Sequence, residues 1–135
     1  MKDAKGNRSS RENLKDVIDE IFLAIEKEKD ALVIVEGKKD SLALKKLGFE
    51  RILTLKGEPL YKIAEQVSEK RVLVLTDLDV EGKKIYAAIV CQLRTRGVRV
   101  DDTLRNLLFK TKLRQIEGLF NYLKKTLTKE AQFSS

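Results

Sequence analysis

Residues 72–82 read VLVLTDLDVEG, an apolar run followed directly by two carboxylates. The apolar residues at its start predict a strand that is buried on both faces, as in a parallel sheet. Asp77 and Asp79 are two positions apart, so in an extended backbone their side chains point the same way. Two adjacent carboxylates repel each other, and Mg²⁺ is a cation that one or two carboxylates bind together with water and phosphate oxygens. We therefore expect a magnesium site here, with Gly82 allowing a sharp turn before a helix over residues 83–96.

The composition is that of a basic protein without histidine. The 135 residues include 28 Lys and Arg against 21 Asp and Glu, which gives a net charge of +7. The absence of histidine excludes a Ser-His-Asp triad, a histidine base and a histidine metal ligand. The single cysteine, Cys91, which we place on the inner face of a helix, excludes a disulfide framework and a cysteine-built zinc site. The positive charge favours phosphate-rich partners, although ion-pair networks of a heat-stable protein would also give a charge-dense surface.

The sequence has no feature that directs it to a membrane or out of the cell. No apolar run approaches the ~20 residues that a membrane span needs. The first eight residues lack the apolar segment of a signal peptide. We therefore expect a cytoplasmic protein that does not associate with membranes.

Strands and helices alternate four times along the chain, which predicts an α/β fold with right-handed crossovers. The predicted strands are residues 31–35, 51–55, 72–75 and 98–100. The expected sheet has four mainly parallel strands flanked by helices, with added N-terminal and C-terminal helices. We expect a disordered lead-in over 1–9, one domain over 10–128 with its motif core at 31–100, and a frayed tail over 129–135.

Two of the predicted strands end in acids. Glu36 follows the first strand, and Asp77 and Asp79 follow the third. Open α/β sheets bind ligands outside the carboxyl ends of their strands. The acids would therefore gather in one place if these two strands are neighbours in the sheet.

The two acidic segments, Glu36-Gly37-x-x-Asp40 and Asp77-x-Asp79-x-x-Gly82, resemble the two signature motifs of the Toprim domain. Type IA and type II topoisomerases, bacterial primases, recombination mediators and small ribosomal-RNA-maturing nucleases share this domain. The resemblance covers about residues 31 to 100. It implies a Toprim-like, Rossmann-like sheet in a small stand-alone Toprim protein of the kind found in archaea and some bacteria.

The resemblance also implies roles for the acids. Glu36 would be the general acid or base, and Asp77 and Asp79 would bind Mg²⁺, with Mn²⁺ as an alternative ion and Glu36 sharing it. Gly37 and Gly82 would permit close backbone approach, and Asp40 would steady the first loop. The full set of expected supporting residues is Gly37, Asp40, Glu81 and Gly82, with Glu81 also a candidate for binding a second ion.

Cations near these loops are candidates for holding a phosphate backbone. The lysines in or just after the loops are Lys38, Lys39, Lys56, Lys83 and Lys84. The densest basic run is formed by Arg94, Arg96, Arg99 and Arg105. Each single lysine would also fit an ordinary solvated surface.

The leading hypothesis is magnesium-dependent phosphodiester chemistry, nuclease-like, on RNA or DNA. The alternative is a non-catalytic module that binds metal and nucleic acid within a larger machine. A third reading, a haloacid-dehalogenase-like phosphatase, has the same carboxylate spacing, but its motif normally opens the fold and here two strands precede it. A complete topoisomerase or primase would need further parts. The apolar stripe from Leu113 to Leu127 also allows a protein partner or a homodimer through the C-terminal helix.

Overall fold

The sheet has four strands, all parallel, in a computed structural model that describes residues 13–134. The strands are β1 (Val33–Val35), β2 (Ile52–Thr54), β3 (Arg71–Val74) and β4 (Arg99–Asp101). Their order in the sheet is β2-β1-β3-β4, so the two strands that precede the acids lie side by side. The predicted α/β class and parallel four-stranded sheet are confirmed. The expected lead-in, residues 1–9, lies outside the described residues.

Six helices and one short 3₁₀ turn accompany the sheet in the described part of the chain. They are α1 (Leu14–Glu28), α2 (Lys38–Lys46), α3 (Leu60–Glu65), α4 (Val80–Thr95), α5 (Thr103–Leu108), the 3₁₀ turn (Ile116–Gly118) and α6 (Leu119–Ser134). The added N-terminal and C-terminal helices are therefore α1 and α6. The last helix includes residues 129–134, the stretch that we expected to fray. None of these helices is both long enough and apolar enough to cross a membrane.

Two apolar layers cover the two faces of the sheet, because successive side chains of each strand point to opposite faces. Ile34, Val72 and Val74 pack with residues of α3 and α4 on one face. Val33 and Val35 pack on the other face with residues of α1, α2, α5 and α6. The two central strands, β1 and β3, are thus buried on both faces, as their apolar sequences predicted.

An ion-pair network joins the end of α1 to β3 and β4. Arg71 of β3 contacts Glu28 at the end of α1 and lies 2.7 Å from Asp101 of β4. The N–H of Thr103 and the Arg71 guanidinium lower the pKa of Asp101 to about 2. These three charged side chains are therefore paired with one another.

Two local predictions about helices are wrong. Cys91 is exposed, because the inner face of α4 is formed by Ile89, Val90 and Leu93 instead. The helix expected from Leu113 onward begins only with the 3₁₀ turn, and the residues before it form a loop. Apolar residues spaced three and four apart are typical of a helix, but an irregular segment that packs its leucine and isoleucine side chains into the core can show the same spacing.

Candidate metal-binding site

The ends of β1 and β3 bring Glu36 and Asp77 together. Val33 pairs with Leu73 and Ile34 with Val74, so both strands reach the same edge of the sheet. The backbone N–H of Asp77 donates a hydrogen bond to Oε2 of Glu36 at 2.8 Å. This bond joins the first acidic segment directly to the second.

Like Glu36, the three aspartates of the two segments each accept a hydrogen bond from a backbone N–H. Asp40 Oδ2 accepts from Gly37 at 3.1 Å, within its own loop. Asp79 Oδ1 caps α4 by accepting from Gly82 at 2.8 Å. Asp77 Oδ1 accepts from Ile116 at 2.8 Å, a residue of the 3₁₀ turn that precedes α6. The carboxylates are thus held in place by main-chain donors rather than by lysine or arginine partners.

Burial and mutual repulsion raise the pKa values of three of these carboxyl groups. For Glu36 the main cause is burial, opposed by the N–H of Asp77, and the charges of Asp77 and Asp79 add to the rise. Burial likewise raises the pKa of Asp77, against the hydrogen bond from Ile116. Burial raises the pKa of Asp40 to about 6, with smaller contributions from Asp77 and Glu36. The groups are therefore close enough to affect one another's ionisation.

The acids lie at one edge without closing around a single point. Within residues 13–134, no group of three or more Asp, Glu, Cys or His side chains is arranged to hold a metal ion. The hydrogen bonds found among these residues engage one oxygen each of Glu36, Asp77 and Asp79. The second oxygen of each carboxylate accepts none of these hydrogen bonds. Because Mg²⁺ keeps several waters and takes one or two carboxylates, Asp77 and Asp79 fit this ion without a complete protein cage.

Gly82 has a different role from the sharp turn that we predicted. Asp79 caps α4, so Gly82 lies within the first turn of the helix rather than before it. A Cβ at this position would lie 2.0 Å from the carbonyl oxygen of Asp77. The Thr76 hydroxyl, in turn, donates to the Gly82 carbonyl at 2.7 Å. Glycine thus allows the start of α4 to pack against the loop that carries Asp77.

Arg105 is the residue that sequence reasoning misplaced most. We expected a surface cation, but its side chain is buried, with 3% exposure. Its guanidinium donates to the carbonyl oxygens of Thr76 at 2.6 Å and Asp77 at 3.1 Å, at the end of β3. It also lies 4.3 Å from the centre of the Tyr86 ring and 5.1 Å from that of Phe109. Arg105 therefore holds the loop that carries Asp77 from the buried side. Its charge lowers the pKa values of Glu36 and Asp77.

The 3₁₀ turn adds a contact and an acid that the motifs did not indicate. Ile116 donates to Asp77, and the N–H of Leu78 donates to the carbonyl oxygen of Arg114 at 2.7 Å. The charge of Glu117 raises the pKa values of Asp40 and Asp77. Glu117 is therefore a further carboxylate at this edge of the sheet, contributed by a segment about 40 residues after the acidic loop.

The expected phosphate-contacting lysines are all exposed: Lys38, Lys39, Lys56, Lys83 and Lys84. The N–H of Lys56 donates to the carbonyl oxygen of Glu36 at 3.3 Å, which places this residue beside the acids. The N–H of Lys83 donates to the carbonyl oxygen of Asp79 at 2.9 Å, and its ammonium lies 5.3 Å from the centre of the Phe109 ring. Glu81 is exposed in the first turn of α4, and its supporting role stays a prediction.

Comparison with known proteins identifies the family. The Toprim domain matches residues 31–116, which include both acidic segments. The chain belongs to the Toprim domain family. Toprim domains typically bind Mg²⁺ and take part in metal-dependent nucleic-acid processing. The match extends past the 31–100 of the motif resemblance and reaches Ile116, the donor to Asp77.

Relatives of similar size support this assignment. A UPF0292 protein of Methanocaldococcus jannaschii is 37% identical over 123 residues, covering 86% of this chain and 94% of that protein. A UPF0292 protein of Pyrococcus abyssi is 37% identical over 107 residues, covering 75% of this chain and 81% of that protein. A solved structure of a putative protein from Aquifex aeolicus is similar with a TM-score of 0.64 and 30% identity, covering 78% of this chain and 97% of that chain. The resemblance to small Toprim proteins is confirmed.

Replacement of Gly82 by alanine should destabilise the fold. The added Cβ would overlap the Asp77 carbonyl, so we expect Gly82→Ala to lower the free energy of unfolding by about 3 kcal/mol. Gly37→Ala is the matched control, because a Cβ there meets nothing within 4 Å, and it should cost no more than about 1 kcal/mol. Urea denaturation of both variants measures the difference. Equal costs at the two positions would contradict the close approach of α4 to the acidic loop.

Asp40 should make stability depend on pH. Its pKa is about 6 in the folded protein and 3.8 ordinarily, so the folded state binds this proton more tightly. Stability from this group is therefore present at low pH and is lost as pH rises from 3.8 through about 6. Asp40→Asn keeps an acceptor for Gly37 without the charge, and it should be more stable than the original protein by about 2 kcal/mol near neutral pH. The two proteins should converge in stability in more acidic solution.

Denaturation curves in the presence of EDTA, measured at about pH 4 and about pH 8, test this prediction. Asp19→Asn, at an exposed position of α1, is the control. It should change the free energy of unfolding by the same small amount at both pH values. If the free energy of unfolding of Asp40→Asn depended on pH as that of the original protein does, Asp40 would have the same pKa in the folded and unfolded states. That outcome would contradict the prediction.

Proposed function

We propose that this protein carries out magnesium-dependent phosphodiester chemistry on RNA or DNA, in the manner of a nuclease. The observation that supports it best is the hydrogen bond between the Asp77 N–H and Glu36, which joins the two Toprim segments at one edge of the sheet. Membership in the Toprim family agrees with this activity. With no histidine in the chain, a carboxylate is the natural proton carrier.

In this proposal Asp77 and Asp79 hold the ion, and Glu36 holds or moves a proton at the reacting phosphate. A bound Mg²⁺ would neutralise charge on the non-bridging phosphate oxygens. The N–H groups of Ile116 and Gly82 orient the two aspartates, and Arg105 keeps the loop in position from the buried side. Asp40 orients the Glu36 loop through Gly37. The exposed lysines around this edge would contact neighbouring phosphates.

The second candidate function is that of a module that binds metal and nucleic acid without cleaving the nucleic acid. It is favoured by the absence, among the described residues, of a preformed group of three acidic ligands. A binding module would act together with larger RNA or DNA machinery. The phosphatase reading has less support, because the chain is a Toprim protein and β1 and β2 precede Asp77. For location we propose the cytoplasm, because the single cysteine, Cys91, suits a reducing compartment.

Loss of the two aspartate charges should weaken metal binding. We expect Asp77→Asn/Asp79→Asn to weaken Mn²⁺ binding more than about tenfold, because the amide oxygens carry no charge. Titration of Mn²⁺ followed by electron paramagnetic resonance measures the affinity directly. Asp16→Asn/Asp19→Asn removes the same charge from the exposed face of α1 and should leave the affinity unchanged. Equal binding by all three proteins would remove the metal site from the proposal.

Loss of the Glu36 carboxylate should stop cleavage while nucleic acid still binds. We expect Glu36→Gln to reduce cleavage of end-labelled RNA or DNA by about 10²- to 10⁴-fold, the usual size of a general acid-base contribution. Electrophoretic shift assays on the same substrates, with and without Mg²⁺, measure binding. An original protein that retards nucleic acid but never cuts it would establish the binding module instead.

A further inference from the structure

The exposed face of α6 carries a groove that the sequence motifs did not indicate. Two shallow depressions of about 540 and 550 Å³ adjoin each other and share Asn121 and Lys125 in their walls. One continues along α6 to Lys129, and the other extends over the 3₁₀ turn to Lys112. We call the combined depression the C-terminal groove, lined by residues 112–115, 117, 118, 121, 122, 124, 125, 128 and 129.

The charge of the C-terminal groove is strongly positive. Its walls contain five cations, namely Lys112, Arg114, Lys124, Lys125 and Lys129. Glu117 is the single acid among these lining residues, and it lies at the end nearest the metal-binding site. No ion pair found within residues 13–134 involves any of the five cations. The groove therefore presents positive charge that the described part of the protein does not neutralise.

Helix geometry arranges these groups in a row. Asn121, Lys124, Lys125, Thr128 and Lys129 follow each other at spacings of three, one, three and one, which places all five on one face of α6. All five are exposed, whereas the opposite face of the helix is buried in the core. The Asn121 amide is a neutral donor that suits phosphate oxygens, whereas the Thr128 hydroxyl donates to the carbonyl oxygen of Lys124 at 3.0 Å. The face thus presents three lysine charges and one amide donor along the helix axis.

The groove leads into the acidic edge of the sheet. Ile116, which lies between two lining residues, donates its N–H to Asp77. The carbonyl oxygen of Arg114 accepts from Leu78, between the two candidate metal ligands. The charge of Glu117 raises the pKa of Asp77. The groove and the acidic edge of the sheet therefore adjoin each other.

We infer that the C-terminal groove binds the phosphate backbone of the nucleic acid on which the acidic site acts. This inference rests on the function proposed above and adds a location for the strand. Most of the groove belongs to residues 117–129, which lie outside the matched Toprim domain at 31–116. The added helix would thus supply substrate binding, while the domain supplies chemistry. Self-association through the same face would bring like charges together, which disfavours a second copy as the occupant.

Removal of two adjacent groove charges should weaken nucleic-acid binding and its salt dependence. The plot of log affinity against log salt concentration has a negative slope. We expect Lys124→Gln/Lys125→Gln to make this slope shallower by about 1.4 for single strands or about 1.8 for duplex. At about 0.1 M salt the affinity should fall about tenfold or more. Fluorescence anisotropy with labelled RNA and DNA oligonucleotides, single-stranded and duplex, measures both quantities. Binding of Mn²⁺ should stay at the level of the original protein.

The matched control is Lys27→Gln/Lys70→Gln, which removes the same charge from exposed positions near the amino end of the sheet. Its salt slope should equal that of the original protein. If both double variants bound nucleic acid like the original protein, the groove assignment would be wrong while the proposed function stood. If the original protein bound no nucleic acid at all, the proposed function itself would fail. Binding to phosphatidylglycerol vesicles that exceeded binding to nucleic acid and required Lys124 and Lys125 would overturn the inference in favour of a membrane surface.

Discussion

Burial of several carboxylates at the carboxyl edge of the sheet, together with their mutual repulsion, is the constraint that shapes this protein. Glu36, Asp40, Asp77 and Asp79 all lie near the ends of two neighbouring strands, and burial raises the pKa values of the first three. The chain meets the cost of this burial with backbone N–H groups, one for each acid. Main-chain donors are fixed by the fold, so the positions of the acids are as well determined as the sheet itself.

The rest of the structure supplies those donors and holds them. Gly82 lets α4 approach the acidic loop closely enough to cap on Asp79. The 3₁₀ turn returns to the sheet and delivers the N–H of Ile116. Arg105 places a buried positive charge under the end of β3 and satisfies two carbonyl oxygens there. Helices added after the central strands therefore complete the acidic edge rather than merely covering the core.

The sequence predicted those parts of the site that depend on local pattern. Apolar runs ending in Glu36 and Asp77 indicated two strands of a parallel sheet, and the structure pairs them directly. Contacts over long sequence distances were not predictable in this way, because the loop before Ile116 has no periodicity that points to Asp77. Arg105 was assigned to the surface since arginine is rarely buried. Its position between Leu104 and Leu108, which both face the core, was the available signal.

The single N–H bound to each carboxylate also bears on which cations this edge can discriminate. One oxygen of each aspartate accepts a backbone N–H, so only the other oxygen could bind an ion without sharing that hydrogen bond. This arrangement disfavours bidentate binding of an ion by one carboxylate. Ca²⁺ takes six to eight oxygen ligands and commonly binds carboxylates through both oxygens, whereas the smaller, octahedral Mg²⁺ binds single carboxylate oxygens and water. Selection against calcium would then come from the hydrogen-bonded backbone of the Toprim fold rather than from the size of a closed cavity.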